Sequence, residues 1–145
     1  MRASKTAVTF RLRPGKRGVE LRLYDLEAAI MDLVWSRSLE AFSVTDVLEL
    51  MERKRTIAYT TVMTTVSRLF DKKLLTRVRE GKRYLYSPRI SRQEFLEATA
   101  REVLDGVVDE PTALALLVEK VSDASATELD ELERRIQQRR KALRK

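Results

Sequence analysis

Leu26, Ile30, Leu33 and Val34 recur at helical spacing, which predicts a helix from about Asp25 to Arg37. Asp25 stands where it could cap that helix or complement its dipole. Ser43, with Asp46 three residues on, predicts the start of a second helix carrying Val47, Leu50 and Met51 on one face. A third helix, from about Tyr59 to Lys72, would bury Val62, Val66, Leu69 and Phe70 and expose Thr60, Thr61, Met63, Thr64, Ser67 and Arg68. The period then drops to two. Leu75 to Arg79 and Lys82 to Tyr86 flank Glu80-Gly81 and predict a β-hairpin, its tip holding Arg77, Arg79, Lys82 and Arg83. Pro88 closes this region. Ser91-Arg92-Gln93-Glu94 is a capping box opening a fourth helix to about Val108, striped by Phe95, Leu96, Thr99, Val103, Leu104 and Val107. Pro111 suits the first turn of a fifth helix with Leu114, Leu117, Val118 and Val121 inward. Ser125 and Glu128 form a second capping box. The sixth helix then places Leu129, Leu132, Ile136 and Leu143 at heptad positions, interrupted by Arg139.

Residues 1–20 show no helical period and contain Pro14-Gly15 and Gly18, so they read as a partly disordered arm, with a short strand around Val8, Phe10 and Leu12. The chain thus divides into an arm over 1–20, a helix-and-hairpin domain over 21–90 and a helical domain over 91–145. Three helices of that length carry more apolar surface than 55 residues bury alone. A second copy of the chain would cover the surplus; packing onto the chain's own first domain is the competing solution.

The third helix is unusual on its outer face. A merely solvated helix favours Glu and Lys over Thr, which forms helices less well. The Thr-rich face therefore suggests hydrogen bonding to phosphates and base edges, with a structural Thr-rich helix as the plain alternative. The basic hairpin tip reads either as protection against edge pairing or, after a helix-turn-helix, as a wing on nucleic acid.

Charge sharpens this picture. Of the formal net charge of +7, residues 1–22 hold +6. A basic arm reads as a polyanion contact or as a solvated tail. The chain has no Cys and no His. Disulfides, thiolate or imidazole metal sites and Ser-His-Asp or Cys-His nucleophiles are excluded, no cofactor is called for, and no carboxylate pair is placed for acid–base work. An enzyme is therefore disfavoured. The first ten residues lack an apolar segment, so no signal peptide is expected, and Ala113 to Val118 is too short an apolar run to span a bilayer. No membrane association and a cytoplasmic location are expected.

Specific segments carry a resemblance. Leu26-Glu27-Ala28-Ala29-Ile30-Met31-Asp32-Leu33-Val34-Trp35, Ala58 to Leu69, Lys73-Leu74-Leu75 and Glu80-Gly81-Lys82-Arg83-Tyr84-Leu85-Tyr86-Ser87-Pro88 together resemble the penicillinase-repressor family of the BlaI, MecI and CopY type. The resemblance runs through residues 21–90 and more weakly to about 132. It implies a mainly α fold with a small β-hairpin wing: an N-terminal winged helix-turn-helix plus a C-terminal three-helix dimerisation domain. It also implies a homodimeric repressor on a palindromic operator in double-stranded DNA, controlling resistance or stress genes, with a sensor or protease that relieves repression. Members cut at an Asn-Phe bond differ from this chain, which has no Asn and reads Leu116-Leu117-Val118-Glu119-Lys120 there; copper-sensing members use Cys pairs that it also lacks.

On this reading Thr60, Thr61, Met63 and Thr64 face base edges. Tyr59, Ser67, Arg68, Arg79, Lys82 and Arg83 hold phosphates, joined by Arg11, Arg13, Lys16 and Arg17 of the arm. Val62, Val66, Leu69 and Trp35 are core. Phe95, Leu96, Val103, Leu104, Leu114, Leu117, Val118, Leu129, Leu132 and Ile136 form the dimer interface. A winged-helix module that binds an acidic protein partner is the alternative, and palindrome-dependent binding separates the two.

Overall fold

The computed structural model describes residues 12–54, 56–107, 109–121 and 124–144. It contains α1 (Asp25–Ser36), α2 (Val44–Glu52), α3 (Tyr59–Asp71), β1 (Leu75–Glu80), β2 (Arg83–Pro88), α4 (Arg92–Val107), α5 (Pro111–Val121) and α6 (Ala126–Leu143). The chain is thus mainly helical with one antiparallel hairpin. It forms two compact units, the first ending at Glu102 and the second running Val103–Lys145.

The core of the first unit is built by the predicted stripes. Ile30, Met31 and Val34 of α1, Val47 and Met51 of α2, and Val62, Val66 and Leu69 of α3 are all buried and join one cluster with Leu74, Leu75 and Tyr86. Capping fixes where the helices begin. The Ser43 hydroxyl accepts from the Asp46 N–H at 3.1 Å, and the Asp46 carboxylate accepts from the Ser43 N–H at 2.9 Å. Ser91 and Glu94 make the same reciprocal pair. At α1 it is Glu27, and not Asp25, that accepts from the N-cap N–H of Tyr24, at 2.9 Å. Asp25 instead takes the Arg13 guanidinium at 3.1 Å.

The hairpin pairs Leu75 with Pro88 through Glu80 with Arg83, so the two loop residues are Gly81 and Lys82, one position later than the sequence pattern places them. The reason is conformational. Gly81 has φ +62. A positive φ at the first loop residue alone is the II′ pattern, which calls for Gly there. Phe42, in the loop before α2, bridges to Tyr86 through two backbone hydrogen bonds, so the hairpin is anchored to the helical part.

Two expectations are corrected by the packing of the first unit. The sequence pattern makes the arm loose through residue 20. Among its described residues, 12–20, Val19 is 4% exposed within a 3-10 turn (Gly18–Leu21), and Arg13 donates to the Leu23 carbonyl, so this stretch is part of the first unit. The strand expected around Val8 and Phe10 lies outside the described residues. Phe95, expected at an interface, is fully buried. Its ring lies 5.9 Å from that of Trp35, whose Nε1 donates to the Ile90 carbonyl. A side chain already enclosed by its own unit has no surface to give a partner. Leu96 also packs against this core.

In the second unit α5 contributes only Ala113 to the buried set, and α6 contributes nothing. Ser125 accepts from the Glu128 N–H at 3.2 Å and so caps α6.

Candidate nucleic-acid interface

Helix α3 has two unlike faces. Val62, Val66 and Leu69 are completely enclosed and fix the helix to the core. Tyr59, Thr60, Thr61, Met63, Thr64 and Arg68 are exposed, and Ser67 is half-buried. All four residues expected to read bases therefore sit on one open surface. Thr65, which the pattern does not separate from its neighbours, is buried; its hydroxyl donates to the Thr61 carbonyl at 2.8 Å. The Thr64 hydroxyl likewise donates to the Thr60 carbonyl at 2.8 Å. Both threonines thereby satisfy their own protons within the helix. Thr64 then presents a methyl group and acceptor lone pairs outward, suited to a thymine methyl and to an amino donor in a major groove.

The start of α3 is open as well. Ala58 is the N-cap, and no acidic residue stands in the first turn; α5 shares this lack, whereas α1, α2, α4 and α6 each have at least one. The partial positive charge of the helix terminus is left uncompensated, a setting that favours phosphate.

Beside this face lies the hairpin. Arg79, Lys82 and Arg83 are exposed at its end. Arg79 donates to the Gly81 carbonyl and Arg83 pairs with Glu80 at 3.1 Å; both contacts are exposed and readily exchanged for others. Arg77, expected at the tip, has a different place. Its guanidinium lies 3.9 Å from the centroid of Phe70 on α3 and 4.2 Å from that of Tyr84 on β2. It is held between two rings and ties the wing to the helix.

Of the arm residues, Arg11 lies outside the described residues. Arg13 is half-buried, bonded to Asp25 and over the Tyr24 ring at 5.1 Å, so the guanidinium expected on phosphate is engaged within the first unit. Lys16 is 3.9 Å from Asp25, and Arg17 is exposed. Two further charges, to which the sequence pattern assigned no place, are buried. Glu27 is 2% exposed and meets Lys72, at the end of α3, at 2.8 Å. Arg22 meets Glu102 of α4 at 2.7 Å. These pairs hold α3 against α1, and α4 against the turn before α1.

The remaining interface candidates Val103, Leu104, Leu114, Leu117, Val118, Leu129, Leu132 and Ile136 are exposed, as are Val107, Leu116 and Leu143. Among the described residues no group of His, Cys, Asp and Glu is arranged to hold a metal ion, and no helix is long and apolar enough to cross a membrane.

Three helices, the third with an open polar face beside a basic two-stranded hairpin, define a winged helix-turn-helix. The profile of the penicillinase repressors matches residues 23–138. The chain is also 38% identical over 113 residues to the transcriptional regulator BlaI of Mycobacterium tuberculosis (strain H37Rv), covering 78% of this chain and 81% of that protein. It belongs to the penicillinase-repressor family. Among solved structures it resembles the monomeric form of Bacillus licheniformis BlaI in complex with the blaP half-operator. Identity there is 25% and the TM-score 0.41, over 50% of this chain and 87% of that one. It also resembles the Staphylococcus aureus MepR–DNA complex, with 15% identity and a TM-score of 0.42 over 83% and 78%.

Proposed function

We propose that the chain is a transcriptional repressor that binds a dyad-symmetric DNA operator as a homodimer. The observation that carries this is the face of α3: Thr60, Thr61, Met63 and Thr64 stand open on a helix whose other side is the domain core, beside a basic wing. In this reading α3 enters the major groove. The four residues contact base edges and thymine methyls, and Tyr59, Ser67 and Arg68 hold the flanking phosphates. Arg79, Lys82 and Arg83 reach the backbone beyond, while Lys16 and Arg17 add positive charge. The family and the name of the mycobacterial relative support regulation of transcription. No catalytic role is assigned, and the site of action is the cytoplasm, where the DNA is.

Residues 21–90 supply the reading of DNA, and the helices from α4 onward the pairing of two copies. The exposed apolar side chains of Val103–Lys145 support that division, with Phe95 now excluded from the interface. Two copies would place their α3 helices in successive major grooves roughly 34 Å apart. A fluorescence-anisotropy titration tests the proposal. A palindromic duplex drawn from the region upstream of the gene should bind, and a scrambled duplex at equal salt should fail to displace it. Equal competition by the scrambled duplex would overturn the reading.

A further inference from the structure

A cleft of about 810 Å³ opens in the first unit between the ends of α1 and α2 and the start of α4. Its floor is apolar: Met51 is buried, and Leu33, Trp35 and Leu50 are half-buried. Its rim is basic. Arg37, Arg53, Lys54 and Arg92 are exposed around it. Among the described residues Asp32, which meets Arg92 at 3.9 Å, is the one carboxylate in the lining. We propose that this cleft binds a small amphipathic anion, a carboxylate carried on an apolar body, and that the bound anion weakens the grip of α3 on DNA. The binding stands apart from the repressor reading; its consequence for DNA rests on that reading.

Charge complementarity selects the ligand's head. Four cations less one carboxylate leave +3 around the cleft. Among the described residues Arg37, Arg53 and Lys54 meet no carboxylate within ion-pair distance. Glu49 and Glu52 of α2 do not line the cleft. Arg37 and Arg53 are the C-caps of α1 and α2, where a cation complements the negative end of the helix dipole. Arg92 instead opens α4, where the helix end is positive and a cation is disfavoured, and Lys54 lies beyond α2. Capping thus explains two of the four charges. A carboxylate among them would gain charge-assisted hydrogen bonds from several donors at once. The floor selects the body. The Trp35 Nε1 already donates to the Ile90 carbonyl, so the indole offers a ligand its ring. The volume falls within the roughly 300–1,000 Å³ of small-molecule sites. A DNA phosphate would meet the rim and leave the floor uncovered. The place of the cleft supplies the consequence: Arg53 and Lys54 stand in the turn from α2 to α3, so an anion on them adds negative charge beside the helix that faces DNA.

Trp35 is the chain's single tryptophan, so its emission reports on this cleft. The full chain is titrated with octanoate, octanol and octylamine, each below its micelle concentration. Octanoate should move the emission to shorter wavelength and saturate, while the uncharged and cationic analogues should bind roughly tenfold more weakly. The double variants Arg37→Gln with Arg92→Gln and Arg53→Gln with Lys54→Gln remove only exposed charges, and each should weaken octanoate binding roughly fivefold. Arg140→Gln with Lys141→Gln lowers the net charge equally on α6 and should leave octanoate binding as it is. No saturable shift, octanol binding as tightly as octanoate, or rim variants with wild-type affinity would each overturn the site. An operator titration reads the second half. Saturating octanoate should weaken operator binding by about fivefold, and Arg53→Gln with Lys54→Gln should need more octanoate for the same effect. Octanoate bound with operator affinity unchanged would overturn the link to DNA. Failure to bind any operator without octanoate would overturn the repressor reading and that link together, while the fluorescence titration still decides the site.

Discussion

Thr61 and Thr64 lie three residues apart on the exposed face of α3, and Val62 lies between them on the enclosed face. This contrast separates recognition from stability one side chain at a time. Thr61→Ala and Thr64→Ala remove outward groups from a helix that Ala suits better, so the melting temperature should hold or rise slightly. Loss of the Thr64 hydroxyl releases the Thr60 carbonyl to water on an exposed surface, at little cost. Operator affinity should nevertheless fall by roughly 1–3 kcal/mol for a base-reading contact, while affinity for random DNA should barely change. Val62→Ala should do the reverse: it should lose roughly 2 kcal/mol of stability through a core cavity and leave the operator preference of the folded fraction intact. Melting curves with paired operator and random-duplex titrations read both effects. Thr variants that bind operator normally would remove α3 from the readout. The buried pair of Glu27 and Lys72 makes a second residue-scale case. Glu27→Ala removes the carboxylate that accepts from both Lys72 and the Tyr24 N–H, so stability should drop by about 1–3 kcal/mol, measurable by denaturant unfolding.

At the scale of elements, the wing is positioned by Arg77 and not only by its turn. The Arg77 guanidinium lies over both Phe70 and Tyr84, and a planar, delocalised cation can lie flat on a ring where an ammonium cannot. Arg77→Lys keeps the charge and loses the stack. If the wing's aim depends on the stack, Lys should bind operator as weakly as Arg77→Ala; full rescue by Lys would instead make Arg77 a phosphate contact. In α6, Glu131 accepts from Arg134 and then from Arg135, which lowers its pKa from the usual 4.5 to about 2. A depressed carboxyl stabilises the helix above its unfolded value and loses that contribution only as pH falls toward 2. An NMR titration should therefore show Glu131 protonating only as pH falls toward 2, below the usual carboxylate range. Elements of this kind were legible in the sequence where a period repeated and a cap marked the start: α2 begins at Ser43 and Asp46, and the core stripe of α3 is as its spacing predicts. What stayed hidden depended on partners distant along the chain. Arg22 and Glu27 look like surface charges until Glu102 and Lys72 meet them. Val19, Leu21 and Leu23 alternate with charged residues as a short strand would, yet the chain folds Gly18–Leu21 as a 3-10 turn, so the pattern gave no sign that Val19 is buried. Phe95 fits the α4 stripe equally well as interface or as core, and its enclosure in the first unit's core, against Trp35, decides.

For the whole molecule, charge and pairing act together on DNA. Because Arg13 and Val19 belong to the first unit, a deletion through residue 20 would mix a drop in stability with a drop in charge. Deleting residues 1–11 removes Arg2, Lys5 and Arg11 alone. Affinity for operator and random duplex should fall by similar factors, and the salt slope should flatten by about one unit for every phosphate no longer neutralised. A fall confined to the operator would mean that the segment reads sequence. Pairing is tested by Leu132→Asp or Ile136→Asp. Both side chains are exposed in the single chain, so an aspartate there costs the monomer nothing in its core. In a dimer seam it becomes an unpaired carboxylate withdrawn from water, at a cost of several kcal/mol. The variants should therefore keep the helical content and melting of the first unit, yet sediment as monomers at micromolar concentration. Their operator affinity should collapse toward that of a half-site, because one winged helix without its tethered partner loses the effective concentration that a dimer provides. Dimeric variants with full operator affinity would locate the pairing surface off this stripe of α6.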